Sequence, residues 1–188
     1  MDKKTKKALL NKIEKLSDEN LIETLAFLRE KGDEDFIIPL ARILVTTKNE
    51  IIKKEIKNIF LEIKRSKASR EIIKILKDKY FEHEKKFFSS LCWELNLDFS
   101  PYLEDLLNFY IEYNDLEQAL NMFSAIEVTL SSYSTKFSKE ELEKLQKKLK
   151  DAIPNFEHSK KLLSVKLSSL FDKAMKNSML GNINELNL

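Results

Sequence analysis

The sequence predicts an all-α protein built as a solenoid, with antiparallel helical hairpins laid side by side and about ten helices in all. Three observations carry this. Helical periodicity runs nearly end to end, and no stretch alternates apolar and polar residues for long enough to make a strand. Only two glycines occur in 188 residues, which leaves almost nothing for tight β-turns, barrel corners or phosphate-cradling loops. Apolar stripes also recur with a period of 32: Ile52, Ile56, Ile59 and Ile63 map onto Glu84, Phe88, Leu91 and Leu95, then onto Leu116, Leu120, Phe123 and Glu127. A hairpin of that size can bury its inner face only by stacking on neighbours.

Taken in order, Leu9, Leu10, Ile13 and Leu16 line a first helix that stops near Ser17. Ser17-Asp18-Glu19 then reads as an N-cap followed by acidic residues at the positive end of the helix dipole. That second helix carries Leu21, Ile22, Leu25 and Leu28 and ends at Gly32, where a C-terminal cap favours glycine. A third begins near Asp33 with Leu40, Ile43 and Leu44, and its Pro39 must sit in the first turns or kink it. Helices follow over 49–65, 69–80, 82–95, 101–113 and 115–130. Ser100-Pro101 marks one start. Residues 131–137 are expected to be a looser joint. Ser138-Lys139-Glu140-Glu141 is a capping box for a helix to about Lys150, Pro154 breaks the chain, and a last helix spans 156–179 before a frayed end at 181–188. The expected organisation is a helical pair at 1–32, repeats at 33–66, 67–98 and 99–130, and a capping pair at 138–180.

Charge is segregated along this array. Residues 48–86 carry 13 basic and 7 acidic side chains, whereas 87–135 hold eight carboxylates and no lysine or arginine. Eleven of the 18 aromatic residues fall between Tyr80 and Phe123, largely in the acidic block. Cys92 has no partner for a disulfide, and no run approaches the ~18 uncharged apolar residues that cross a bilayer, so a cytoplasmic protein is expected. Asp172, Asn177 and Ser178 interrupt the last helix as a membrane-surface anchor.

Two segments resemble a known family. Residues 35–40 with Pro39, then Asn49 at a turn and Lys53 early in the next helix, look like a HEAT repeat, and Pro101 with Asn114-Asp115 repeats part of the pattern. Glu117 departs from it where Lys53 stands, and the middle hairpin lacks the proline. Residues 16–25, Cys92-Trp93 and 97–103 are similar to a group of small bacterial HEAT-repeat proteins. The resemblance covers roughly residues 16–130. It implies a right-handed solenoid that serves as a scaffold and partner-binding surface, without a cofactor.

Chemistry is sparse. His83 and Cys92, nine residues apart on a helix, would be about 13 Å apart and on different faces, so no nucleophile–base pair forms. His158 reads as a solvated surface residue. One cysteine and two distant histidines cannot build a zinc site, so no catalytic, metal or cofactor residues are expected. The HEAT resemblance implies that the second helices line the concave face, so the side of each opposite its core stripe is the expected binding surface: Leu61, Trp93 and Ala125, flanked by Lys57, Ser89 and Asn121, then Lys64, Asn96 and Val128. Trp93 would be the aromatic anchor. The expected partner is a protein or peptide, such as a basic helix against the 87–135 acidic block, or the chain's own Lys160–Lys176 stretch. The alternative is nucleic acid held by Lys53, Lys54, Lys57, Lys64, Arg65 and Lys67, disfavoured because the next hairpin has no positive charge.

Overall fold

The computed structural model describes residues 2–62 and 67–185. Among them there are ten α-helices and no strand: α1 Lys3–Leu10, α2 Asp18–Lys31, α3 Ile37–Thr46, α4 Glu50–Leu61, α5 Ala68–Lys77, α6 Lys85–Glu94, α7 Leu103–Glu112, α8 Leu116–Tyr133, α9 Lys139–Ala152 and α10 His158–Glu185. The chain divides into two compact units, Met1–Leu97 and Asp98–Leu188. The expected repeat 99–130 therefore shares a unit with the C-terminal pair.

In the first unit α3 packs on α4 and α5 on α6, and corresponding helices of successive hairpins also touch: α2 with α4, α4 with α6, and α3 with α5. Polar links tie these neighbours together. Lys6 bridges Asp33 and Asp35, and Arg42 reaches Glu14 at 3.4 Å. The Asn49 amide donates to Asp18 at 2.8 Å, Arg29 grips Glu62 with two nitrogens, and Lys57 lies 3.4 Å from Glu84. Because Asp18 and Arg29 meet Asn49 and Glu62 in the same order, α2 and α4 run parallel. The core beneath is Leu25, Leu28, Phe36, Leu40, Leu44, Ile52, Ile56, Phe60, Ile72, Leu76 and Phe88, all buried.

In the second unit α7 packs on α8 and α9 on α10, while α7 also meets α9 and α8 meets α10. Lys148 binds Glu104 at 3.2 Å, and Gln146 donates to the Ser168 carbonyl and to Asp172 at 2.9 and 2.7 Å.

Helix starts follow the cap chemistry, with corrections. Asn49 accepts from the Ile51 and Ile52 amides, Asp115 from Gln118, and Ser138 and Glu141 form the reciprocal capping box. Pro39 sits in the first turn of α3, where its missing N–H costs nothing. The first helix is shorter than expected. It ends at Leu10, before Asn11, a poor helix-interior residue, and a separate 3-10 turn carries Ile13 into the core. A 3-10 turn at Ser100–Tyr102, opened by the Asp98 carboxylate accepting from the Ser100 amide, likewise precedes α7 and takes up Pro101. Residues 131–137 are anchored, not loose: α8 runs on to Tyr133 and a 3-10 turn covers Ser134–Lys136. Ser134 is buried, Lys136 binds Asp98 at 2.5 Å, and Ser178 donates to the Phe137 carbonyl at 2.6 Å. The expected frayed end is helical through Glu185, and 186–188 lie outside the described residues, as do Ile63, Lys64 and Arg65.

Candidate functional site

On α4 the buried stripe is Ile52, Ile56, Ile59 and Phe60, which turns Ile51, Lys54 and Leu61 outward. Leu61 is 46% exposed. On α6 the stripe is Phe88, Leu91 and Cys92, and Trp93 is 42% exposed. Lys57 is half-buried, close to Glu84 and 5.1 Å above the Phe87 ring, so it faces the seam between α4 and α6. Edge-to-face contacts of Phe60 with Phe87 and Phe88 close that seam underneath.

The other expected surface residues divide. Asn96 is exposed just beyond α6. Ser89 is buried, its hydroxyl donating to the Lys86 carbonyl at 2.8 Å, so it offers nothing to a surface partner. Asn121 is half-buried on α8 in the second unit, and Lys64 lies outside the described residues. Ala125 is also buried. The α8 core stripe is Ala119, Met122, Ala125, Ile126, Thr129 and Leu130, while Leu116, Leu120 and Glu127 are exposed. The cause is register. The caps Asn49 and Asp115 stand 66 residues apart, and that spacing carries Ile56, Ile59 and Phe60 onto Met122, Ala125 and Ile126. On it the counterpart of Leu61 is Glu127. Ile51, the most exposed apolar residue of α4, was missed; its place on the helix wheel, about 140° from Ile56 and outside the buried stripe, was the available signal.

The acidic block is partly satisfied by the chain's own lysines. Burial alone would raise the Asp98 carboxyl, but hydrogen bonds from Lys136 and from the Ser100 side chain and amide hold it below the usual range. A hydrogen bond from Lys148 does the same for Glu104. Deeper in this unit, Lys160 on α10 is only 7% exposed. Its ammonium donates to the Ile111 and Tyr113 carbonyls at 2.8 and 2.7 Å and lies 4.2 Å from the Phe156 ring centre. Beside it the Tyr110 hydroxyl lies 2.9 Å from that of Ser164. These contacts tie the start of α10 to the C-terminal end of α7, beside a cavity of about 130 Å³ that Phe156 and Lys160 help to line.

Cys92 is buried, its thiol pushed up by desolvation, which removes the thiolate a nucleophile needs. His83 and His158 are both exposed on separate elements. Among the described residues no cluster of three or more His, Cys, Asp or Glu could hold a metal ion, and no helix is long and apolar enough to cross a membrane. In the basic segment Lys53, Lys57, Lys67, Lys74 and Lys85 each pair with a glutamate.

No protein-family model, curated protein or solved structure matches this chain.

Proposed function

We propose that the protein is a HEAT-like, right-handed α-solenoid acting as a non-catalytic scaffold, and that it binds a protein or peptide on its concave face, along the side of the second helices turned away from the core. The first unit supplies the surface: Leu61 and Ile51 on α4 and Trp93 on α6, flanked by Lys57 and Asn96. The observation that carries this reading is the exposure of Trp93 and Leu61, 32 residues apart on helices that pack together. A large aromatic left partly in water beside apolar neighbours is the residue type that anchors interfaces. The polar links between successive hairpins support the stacked arrangement. The inaccessible thiol and the scattered histidines support a non-catalytic role. The basic segment gives a nucleic-acid reading less support, because four of its lysines, Lys53, Lys57, Lys74 and Lys85, lie within 3.4 Å of a glutamate that competes with phosphate for them.

The test is a comparison of wild type with Trp93→Ala. Partners captured by the wild type are identified and their affinities measured for both proteins, with circular dichroism as the check on folding. Trp93→Ala is expected to weaken binding by about thirtyfold, as truncation of an anchor of ~2 kcal/mol does. Equal affinities for a folded variant discard the surface. Trp93 is the sole tryptophan, so a blue shift of its emission on binding reports contact directly.

A further inference from the structure

A second feature of the first unit is independent of that surface. Where the C-terminal end of α2 meets the start of α3 and the end of α4, the interior contains a cavity of about 190 Å³. Its walls are Leu28, Phe36, Ile37, Leu40 and Ile59, all buried. Packed interiors hold few voids larger than a water molecule, and an apolar cavity of roughly 150 Å³ stays dry and admits benzene. Gly32 forms part of the rim, and a Cβ there would lie 2.5 Å from the Leu28 carbonyl oxygen, so no side chain can plug the opening from that position.

The mouth is charged: Arg29, Asp33, Glu34 and Glu62 surround it, one cation against three carboxylates. Two of these anions are firmly held, Glu62 by two nitrogens of Arg29 and Asp33 by Lys6 at 2.6 Å. Glu34 is not. Its side chain is only 24% exposed, yet among the described residues its one ionic neighbour is Lys67 at 3.9 Å, itself largely in solvent. A partly desolvated, loosely paired carboxylate thus stands at the edge of a ring-sized apolar hole.

We propose that this cavity binds a small arylalkylamine, with the ring among Leu28, Phe36, Leu40 and Ile59 and the ammonium on the Glu34 carboxylate. A charge-assisted contact of this kind discriminates between amine, neutral and acid ligands of one shape.

The experiment titrates the full-length protein with phenethylamine, toluene and phenylacetate, following methyl NMR signals of Ile37, Leu40 and Ile59 together with the melting temperature. Phenethylamine is expected to perturb those methyls and raise the melting temperature, toluene to do so more weakly, and phenylacetate to leave both unchanged. Glu34→Gln should weaken phenethylamine binding about tenfold and leave toluene untouched. Ile59→Phe, which fills the hole, should abolish both. If that variant does not fold, Glu34→Gln, at a partly exposed site, still decides the matter. Unmoved methyls at millimolar phenethylamine and toluene would overturn the site, as would phenylacetate binding as well as the amine. Full phenethylamine affinity in Glu34→Gln removes the ammonium contact and with it the proposal.

Discussion

Lys160 shows how a single charged residue can belong to a core. Taking an ammonium out of water is expensive. Here the cost is offset by two carbonyls at the C-terminal end of α7, the negative pole of that helix, and by the Phe156 and Tyr110 rings. Desolvation still holds its pKa below the usual lysine range. Replacing it with methionine keeps the bulk but strands the Ile111 and Tyr113 carbonyls. Lys160→Met is therefore expected to lose about 2–4 kcal/mol in urea denaturation; a change under about 0.5 kcal/mol would mean that water satisfies those acceptors. Nothing in the sequence pattern pointed to this role. The buried stripe of α10 reads Lys160, Ser164, Leu167, Phe171, Ala174 and Ser178, while Leu162 and Val165 face solvent. Half of that stripe is polar, so apolar periodicity does not reveal that the lysine is buried.

Among the elements, the caps were legible and the period between them was not. Asn49, Asp115 and the Ser138–Glu141 box each start a helix, because their side chains satisfy amides that a helix leaves unpaired. The core stripes of α4 and α6 followed from spacing. That of α8 did not, because eight residues separate α6 from α7 against six between α4 and α5, which shifts the third hairpin by two residues. Gly32 was also expected for a different reason. Its φ of −65° suits any residue, and by that criterion Gly32→Ala would stabilise by about 0.4–1 kcal/mol. The 2.5 Å approach of its would-be Cβ to the Leu28 carbonyl reverses the sign. Gly32→Ala is expected to lower the urea midpoint, at unchanged slope, by the equivalent of about 1–3 kcal/mol.

Over the whole molecule, the all-helical class was plain from periodicity and the scarcity of glycine. The division after Leu97 was not, because Asn96-Leu97-Asp98 carries no proline, glycine or charge run of the kind that marks a linker. Each unit nonetheless has its own buried aromatic centre, Phe36, Phe60 and Phe88 in one, Phe99, Tyr110 and Phe171 in the other. A chain beginning at Asp98 is expected to fold alone, with helical circular dichroism and a cooperative thermal melt. A featureless melt would show that it depends on residues 1–97.

Within the first unit the tethers join adjacent hairpins, from Lys6–Asp33 through Arg29–Glu62 to Lys57–Glu84. None of these pairs recurs one period on: Ile38 and Leu61 stand where Lys6 and Arg29 would repeat, and Ile52 where Glu84 would. An additional copy of one hairpin spliced between two others would therefore meet mismatched neighbours, so each module is keyed to its own place in the row and lengthening by duplication demands new charges at both seams.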